Sequence, residues 1–158
     1  MTELIIPICF TLVVSGFCSL LEAFILSSTT ADVESLKKSR LQRGLLLEKF
    51  KRDIELTSSA ILTLNTIANT LGAMWVAAVA TRVAGNLVGL ITFGMVMGIL
   101  FLSEILPKNM GVIYRKALLP HLVFPLQLVR WCMYPLSYLA MHSIRLMVDR
   151  DGIEEEKE

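Results

Sequence analysis

The chain has 158 residues, of which 54% are hydrophobic and 18% charged, with a formal net charge of +1. Mean hydropathy is +0.64, whereas soluble domains run at roughly 45–50% apolar and about 25% charged. These values exclude a disordered chain and a strongly basic nucleic-acid binder, and three cysteines are too few, and odd in number, for a disulfide scaffold. A single small integral membrane domain remains.

Charge-free runs mark the spans. Leu4 to Leu21 carries no charge, and after Glu22 the apolar stretch continues to Ser28. Further runs cover Leu56 to Thr81 and Val83 to Ser103, separated by Arg82. A spanning helix needs about 20 apolar residues, which places spans at about 4–28, 56–81 and 83–107. The first lacks the basic start and the small-residue cleavage site of a secretory signal, so it reads as a span.

The segment after it holds Lys37, Lys38, Arg40, Arg43, Lys49, Lys51 and Arg52. The positive-inside bias assigns this segment to the cytoplasm and the N-terminus to the outside. Arg82 to Asn86 then forms a tight external turn. Span three returns inward toward Lys108, Arg115 and Lys116, so both basic clusters fall on one side. Within 31–55 a helical hairpin is expected. Thr30 or Ser28 caps a helix starting near Ala31, Gly44 ends it, and Leu45 to Glu55 forms its partner. The basic residues of this hairpin fix topology and touch anionic lipid.

Between 115 and 148, Pro120, Pro125, Arg130 and Pro135 interrupt an apolar stretch. Each proline removes a backbone donor and bends or breaks a helix. An interfacial or partly re-entrant helix followed by a second, oblique helix is expected here, in place of a fourth span. Residues 149–158 read as a disordered acidic tail. The fold class is therefore all-α integral membrane, with three transmembrane helices and cytoplasmic-side juxtamembrane helices.

Polar groups inside the spans carry the functional signal. Ionisable residues within a bilayer are costly and by default mark ion or proton sites. Ser15, Ser19 and Glu22 share one helix face at i, i+4 and i+7. Ser58, Asn65, Asn69 and Gly72 form a second polar stripe, on span two. Ser103, Glu104 and Lys108 surround Pro107 on span three. Pro107 has no N–H, so the carbonyl of Ser103 is expected to lose its helical partner. Carbonyl, hydroxyl, amide and carboxylate oxygens together suit magnesium, sodium or calcium, not zinc or copper. A plainer alternative stands beside this one: serines and asparagines between membrane helices often act only as hydrogen-bonding glue, worth about 0.6 kcal/mol each. Glu22 could equally pair with Lys108 or turn toward the basic segment. Two GxxxG pairs, Gly85 with Gly89 and Gly94 with Gly98, suit either internal packing or a dimer seam. No HExxH, GxSxG, P-loop or GxGxxG pattern is present, which leaves an enzyme without a foothold.

The run Ser15-Gly16-Phe17-Cys18-Ser19-Leu20-Leu21-Glu22-Ala23 resembles the first-helix signature of the cyclin M/CorC magnesium-transporter membrane domain. Asn65-Thr66-Ile67-Ala68-Asn69 is similar to the family's second-helix motif, and Glu104-Ile105-Leu106-Pro107-Lys108 to its third. Tyr134-Pro135-Leu136 resembles the closing segment. The resemblance implies a three-span, N-outside domain with a belt-like juxtamembrane helix, forming a homodimer in the plasma (cytoplasmic, cell inner) membrane. It implies magnesium or cobalt transport, with magnesium efflux driven by sodium exchange. The implied cation site falls on Ser15 or Ser19, Asn65 or Asn69, Glu104 and a backbone carbonyl near Gly111, with Pro107 and Lys108 in support. Glu22 and Ser103 extend the set on chemical grounds. Leu21 replaces a serine common in the family, and Ser103 a glycine. The chain ends without the cytosolic CBS pair that many members carry, which fits either a stand-alone member or a piece of a longer protein with a regulatory domain or partner outside it. A dimeric scaffold or ion-sensing adaptor without transport is the competing reading.

Overall fold

A computed structural model describes the backbone over residues 2–155. Among the described residues it is helical with no strand. Three helical rods are long and apolar enough to cross a membrane: Glu3–Ser27, Ile54–Val83 and Gly85–Ile113. The first lies in helix α1 (Thr2–Ser27) and the second is helix α4 (Ile54–Val83). The third is composite. A single 3₁₀ turn, Gly85–Leu87, leads into α5 (Val88–Gly98), a π-helical stretch (Ile99–Ile105) and α6 (Leu106–Ile113). Gly85 opens the turn from α4 at φ +48°, a left-handed conformation that glycine adopts without penalty.

Helix α1 is the centre of the bundle. Its apolar window is 44% buried, against 28% for the second rod and 11% for the third. It runs antiparallel to α4, with Ser15 bonded to Asn65 and Thr11 nested against Gly72. It runs parallel to the third rod, with Leu12, Gly16 and Leu20 meeting Ser103, Pro107 and Gly111 in that order. Both partners use a spacing of four, so one stripe on each helix makes the seam.

The apolar core is split in two. At the N-terminal end of α1, Leu4, Val76, Ala80 and Met95 pack together. At the other end a larger cluster joins Leu21, Phe24 and Ile25 to Val33, Leu36, Leu47, Phe50 and Ile61. Ser15 and Asn65, both buried, lie between the two clusters in sequence along α1 and α4, and Ser19 and Ser103 are buried as well. The fold thus brackets a polar layer with apolar ends.

Residues 30–52 form a helical hairpin, α2 (Thr30–Ser39) and α3 (Leu41–Arg52). The cap is Thr29, whose hydroxyl accepts the Asp32 N–H while Asp32 accepts the Thr29 N–H, a reciprocal capping box. Gly44 does not end the first helix. It lies inside α3, where a side chain would collide with Lys37, so its role is the close crossing of the two helices. Arg40 makes the break instead. Arg115 adds a charge contact of 3.4 Å to Asp32. Burial pushes the Asp32 carboxyl up. The Thr29 hydrogen bonds and the Arg115 and Lys116 charges outweigh that and hold it below the ordinary 3.8.

A group whose folded pKa lies below its unfolded value stabilises the fold above the unfolded pKa, and that contribution is lost as pH falls through the folded value. Asp32→Asn should therefore flatten the fall in melting temperature below about pH 4. Asp32→Ala should also cost about 1 kcal/mol through the lost cap. Thermal unfolding in detergent across that range reads both effects.

The expectation of two helices over 115–148 is corrected. One helix, α7 (Arg115–Glu155), runs through Pro120, Pro125 and Pro135. It continues into the segment expected to be a disordered tail, and residues 156–158 lie outside the described ones. The reason is packing. Leu119, Leu122, Val123, Leu126 and Val129 are buried at helical spacing, and such an apolar stripe outweighs local propensity. Arg43 also donates to the Pro120 carbonyl. Arg130 anchors the helix to the start of α4: Nη2 donates to Asp53 at 2.7 Å, Nη1 to Thr57 at 3.3 Å, and the guanidinium lies 5.4 Å from the Phe50 ring centre. The Arg130 hydrogen bond holds the Asp53 carboxyl below its ordinary range.

Candidate cation site between the spans

Ser15 and Asn65 are both buried, and the Ser15 hydroxyl donates to Asn65 Oδ1 at 2.9 Å. This bond ties α1 to α4 in the middle of the bundle. Ser103, also buried, donates to the Leu12 carbonyl at 2.9 Å and ties the third rod to α1. A Cβ on Gly16 would lie 3.4 Å from Pro107 and 3.6 Å from the Ser103 Cα. The contacts at Leu12 and Gly16 bracket Glu104 at the depth of the Ser15–Asn65 pair. Glu104 is half-buried.

The π-helical stretch changes the backbone account. Leu106 N–H reaches the Phe101 carbonyl, five residues back. In that register the donor missing at Pro107 strands the Leu102 carbonyl, not that of Ser103 alone. The return to α-helix at Leu106 leaves the Lys108 N–H as the one donor for the carbonyls of Leu102, Ser103 and Glu104. Two of those three therefore lack an intrahelical partner. The Leu102 carbonyl faces α1, 3.7 Å from where a Gly16 Cβ would sit. A bilayer interior tolerates such carbonyls where they line a protein-buried or wet cavity.

Further oxygens are unsatisfied. Ser19 Oγ, Ser58 Oγ and Asn69 Oδ1 are buried with no hydrogen-bond partner among the described residues. Buried polar atoms of this kind ordinarily find a protein group, a water or an ion. The sequence pattern singled out all three.

Two residues stand apart from this layer. Glu22 pairs with Lys108, Oε2 to Nζ at 3.1 Å, the alternative partner named above. Gly111 is buried, with a Cβ there falling 2.8 Å from the Leu20 carbonyl and 2.9 Å from the Ala23 Cβ. It lies two turns, about 10 Å, along the helix from Glu104. Its visible role is close contact with α1. Sequence reasoning missed the π-helical register. The proline announced one orphan carbonyl, but nothing in the residue types announced the extra residue per turn.

The donor set is oxygen throughout, and among the described residues no three His, Cys, Asp or Glu side chains converge. One carboxylate with hydroxyl, amide and carbonyl oxygens is hard-cation chemistry.

Two comparisons with known proteins bear on this arrangement. The family described as "Cyclin M transmembrane N-terminal domain" matches residues 6–158. The chain is also similar to the UPF0053 protein sll1254 of Synechocystis sp., at 26% identity over 140 residues. That match covers 88% of this chain and 40% of the relative. The chain thus spans about two-fifths of the length of the curated relative it matches.

Proposed function

The chain belongs to the cyclin M transmembrane domain family, a membrane-protein family associated with divalent-cation transport, and on that premise we propose that it carries magnesium through an all-oxygen site between its three spans. The observation that carries this reading is the layer formed by the Ser15–Asn65 bond, Glu104 and the donor-poor carbonyls ahead of Pro107. Ser19 and Asn69, with unsatisfied oxygens, extend the set.

The basic hairpin and the foot of the third rod face the cytoplasm, and the N-terminus lies outside, by the positive-inside bias. Magnesium enters from the cytoplasmic side past the Glu22–Lys108 pair. Magnesium holds its waters tightly and demands near-octahedral oxygen geometry, so the polar layer replaces lost water and Glu104 supplies the charge. Release outward uses a second arrangement of the third rod against α1, with the π-helical stretch and Pro107 as the flexible segment. Sodium takes the vacated oxygens and drives efflux. Supporting residues divide accordingly. Ser103 fixes the rod to α1, Pro107 withholds a donor, and Lys108 holds Glu22.

A homodimer in the plasma membrane accompanies this reading. Gly89 and Gly94 meet nothing within 4 Å, which leaves their face open to a second copy or to lipid.

Asn65→Ala separates a cation ligand from membrane glue. Lost glue costs about 0.6 kcal/mol, so the melting temperature without magnesium should barely move. Magnesium affinity should fall tenfold or more, on the order of 1.4 kcal/mol. Magnesium titration of the purified protein, followed by thermal unfolding, reads both quantities. An unchanged affinity with the small stability loss would leave Asn65 as glue.

A further inference from the structure

The cleft between α3 and α7 is separate from the cation layer and unused by it. We propose that it binds an anionic glycerophospholipid, with the phosphate at Lys49 and the upper acyl chain against the aromatic wall of α7. Its volume is about 430 Å³, within the range of small-molecule sites. Phe50, Phe124, Trp131 and Tyr134 line it together with two leucines, and Lys49, Gln127 and Arg130 bring polar groups.

Position selects a lipid over a soluble ligand. Arg130 and Phe50 line the cleft, and Arg130 is bonded to Asp53 and Thr57, the cap and first turn of the second spanning rod. The cleft therefore opens at the depth where that span begins, at the edge of the hydrocarbon. Trp131, Tyr134 and Phe124 are exposed on its rim. Trp and Tyr rings favour headgroup depth, where one side is apolar and the other wet.

Charge selects an anion. Over Leu41–Arg52 and residues 115–134 there are seven Lys and Arg against one carboxylate, Glu48. Glu48 is engaged by Lys37 at 2.8 Å, and Asp53 by Arg130 at 2.7 Å. Lys49 is exposed and makes no ion pair or hydrogen bond among the described residues. An exposed, unpaired ammonium beside a guanidinium held by Asp53 and Phe50 fits a phosphodiester, and the apolar wall fits the chain attached to it.

The test is native mass spectrometry of the detergent-purified chain titrated with dioleoyl phosphatidylglycerol, dioleoyl phosphatidylcholine and, separately, glycerol 3-phosphate. A lysine beside an anionic headgroup contributes about fivefold in affinity. Phosphatidylglycerol should bind about fivefold tighter than phosphatidylcholine, a preference that Lys49→Gln removes and Lys49→Arg keeps. Lys38→Gln, at an exposed position outside the cleft, should also keep it. Trp131→Ala should weaken both lipids. Equal binding of the two lipids, or a preference that survives Lys49→Gln, would overturn the proposal. So would a Lys38→Gln loss as large as that of Lys49→Gln, which marks a diffuse field. Glycerol 3-phosphate binding as tightly as the lipid would make the cleft a soluble-anion site and overturn it as well.

Discussion

Glu104→Gln is expected to abolish magnesium binding at millimolar concentrations while leaving the fold intact. Glu104 is the carboxylate beside the donor-poor carbonyls, and no hydrogen bond or ion pair engages it among the described residues. Its removal therefore costs the apo protein little. For the bound state the cost is large. Two unit charges 4 Å apart are worth about 4 kcal/mol at an effective dielectric of 20, and a divalent ion doubles that. Desolvation returns much of it. A hundredfold loss of affinity or more remains, on the order of 3 kcal/mol. The measurement is the magnesium-dependent rise in melting temperature, compared between wild type and variant. An undiminished rise in Glu104→Gln would place the divalent ion elsewhere.

Gly111→Val should be the most destabilising single change in the third rod. The atoms that a Cβ would meet, the Leu20 carbonyl oxygen at 2.8 Å and the Ala23 Cβ at 2.9 Å, belong to or sit on the α1 backbone. Neither can rotate away, so α6 must move off α1. Overpacking of this kind costs about 1–3 kcal/mol. The same seam holds Pro107 against Gly16 and Ser103 against Leu12, so magnesium affinity should fall along with stability. Gly94 is the contrast. Open space surrounds it, and Gly94→Ala should leave unfolding unchanged. If the variant instead dissociates without unfolding, the glycine face is a seam between two copies. Denaturant unfolding in detergent micelles, with size analysis alongside, distinguishes these results.

Much of the fold was legible because membrane insertion is governed by length and apolarity. The charge-free runs around Val13, Ile67 and Val96 could only be spans, and three such rods are present. The polar layer was legible for the same reason. Asn65 and Ser15 inside hydrocarbon need partners, and each is the other's. What the residue types concealed was decided by tertiary packing. Three prolines argued for a broken segment after Arg115, yet the buried stripe from Leu119 to Val129 keeps one helix. Gly44 looked like a helix end, because a crossing point and a C-cap both call for glycine. The π-helical stretch left no mark on the sequence beyond Pro107, and it doubled the number of stranded carbonyls. Arg130 looked costly within the apolar segment after Arg115, but Asp53, Thr57 and Phe50, distant in sequence, receive it.

Magnesium flux in proteoliposomes tests transport through the polar layer most directly. The chain would be reconstituted with a trapped magnesium indicator, with and without an opposing sodium gradient, beside Glu104→Gln. Flux that rises with the sodium gradient and vanishes in the variant is the expected result. Flux undiminished in Glu104→Gln would contradict the site. Absence of flux from the wild type, with magnesium still raising its melting temperature, would contradict transport by this domain and leave an ion-sensing scaffold.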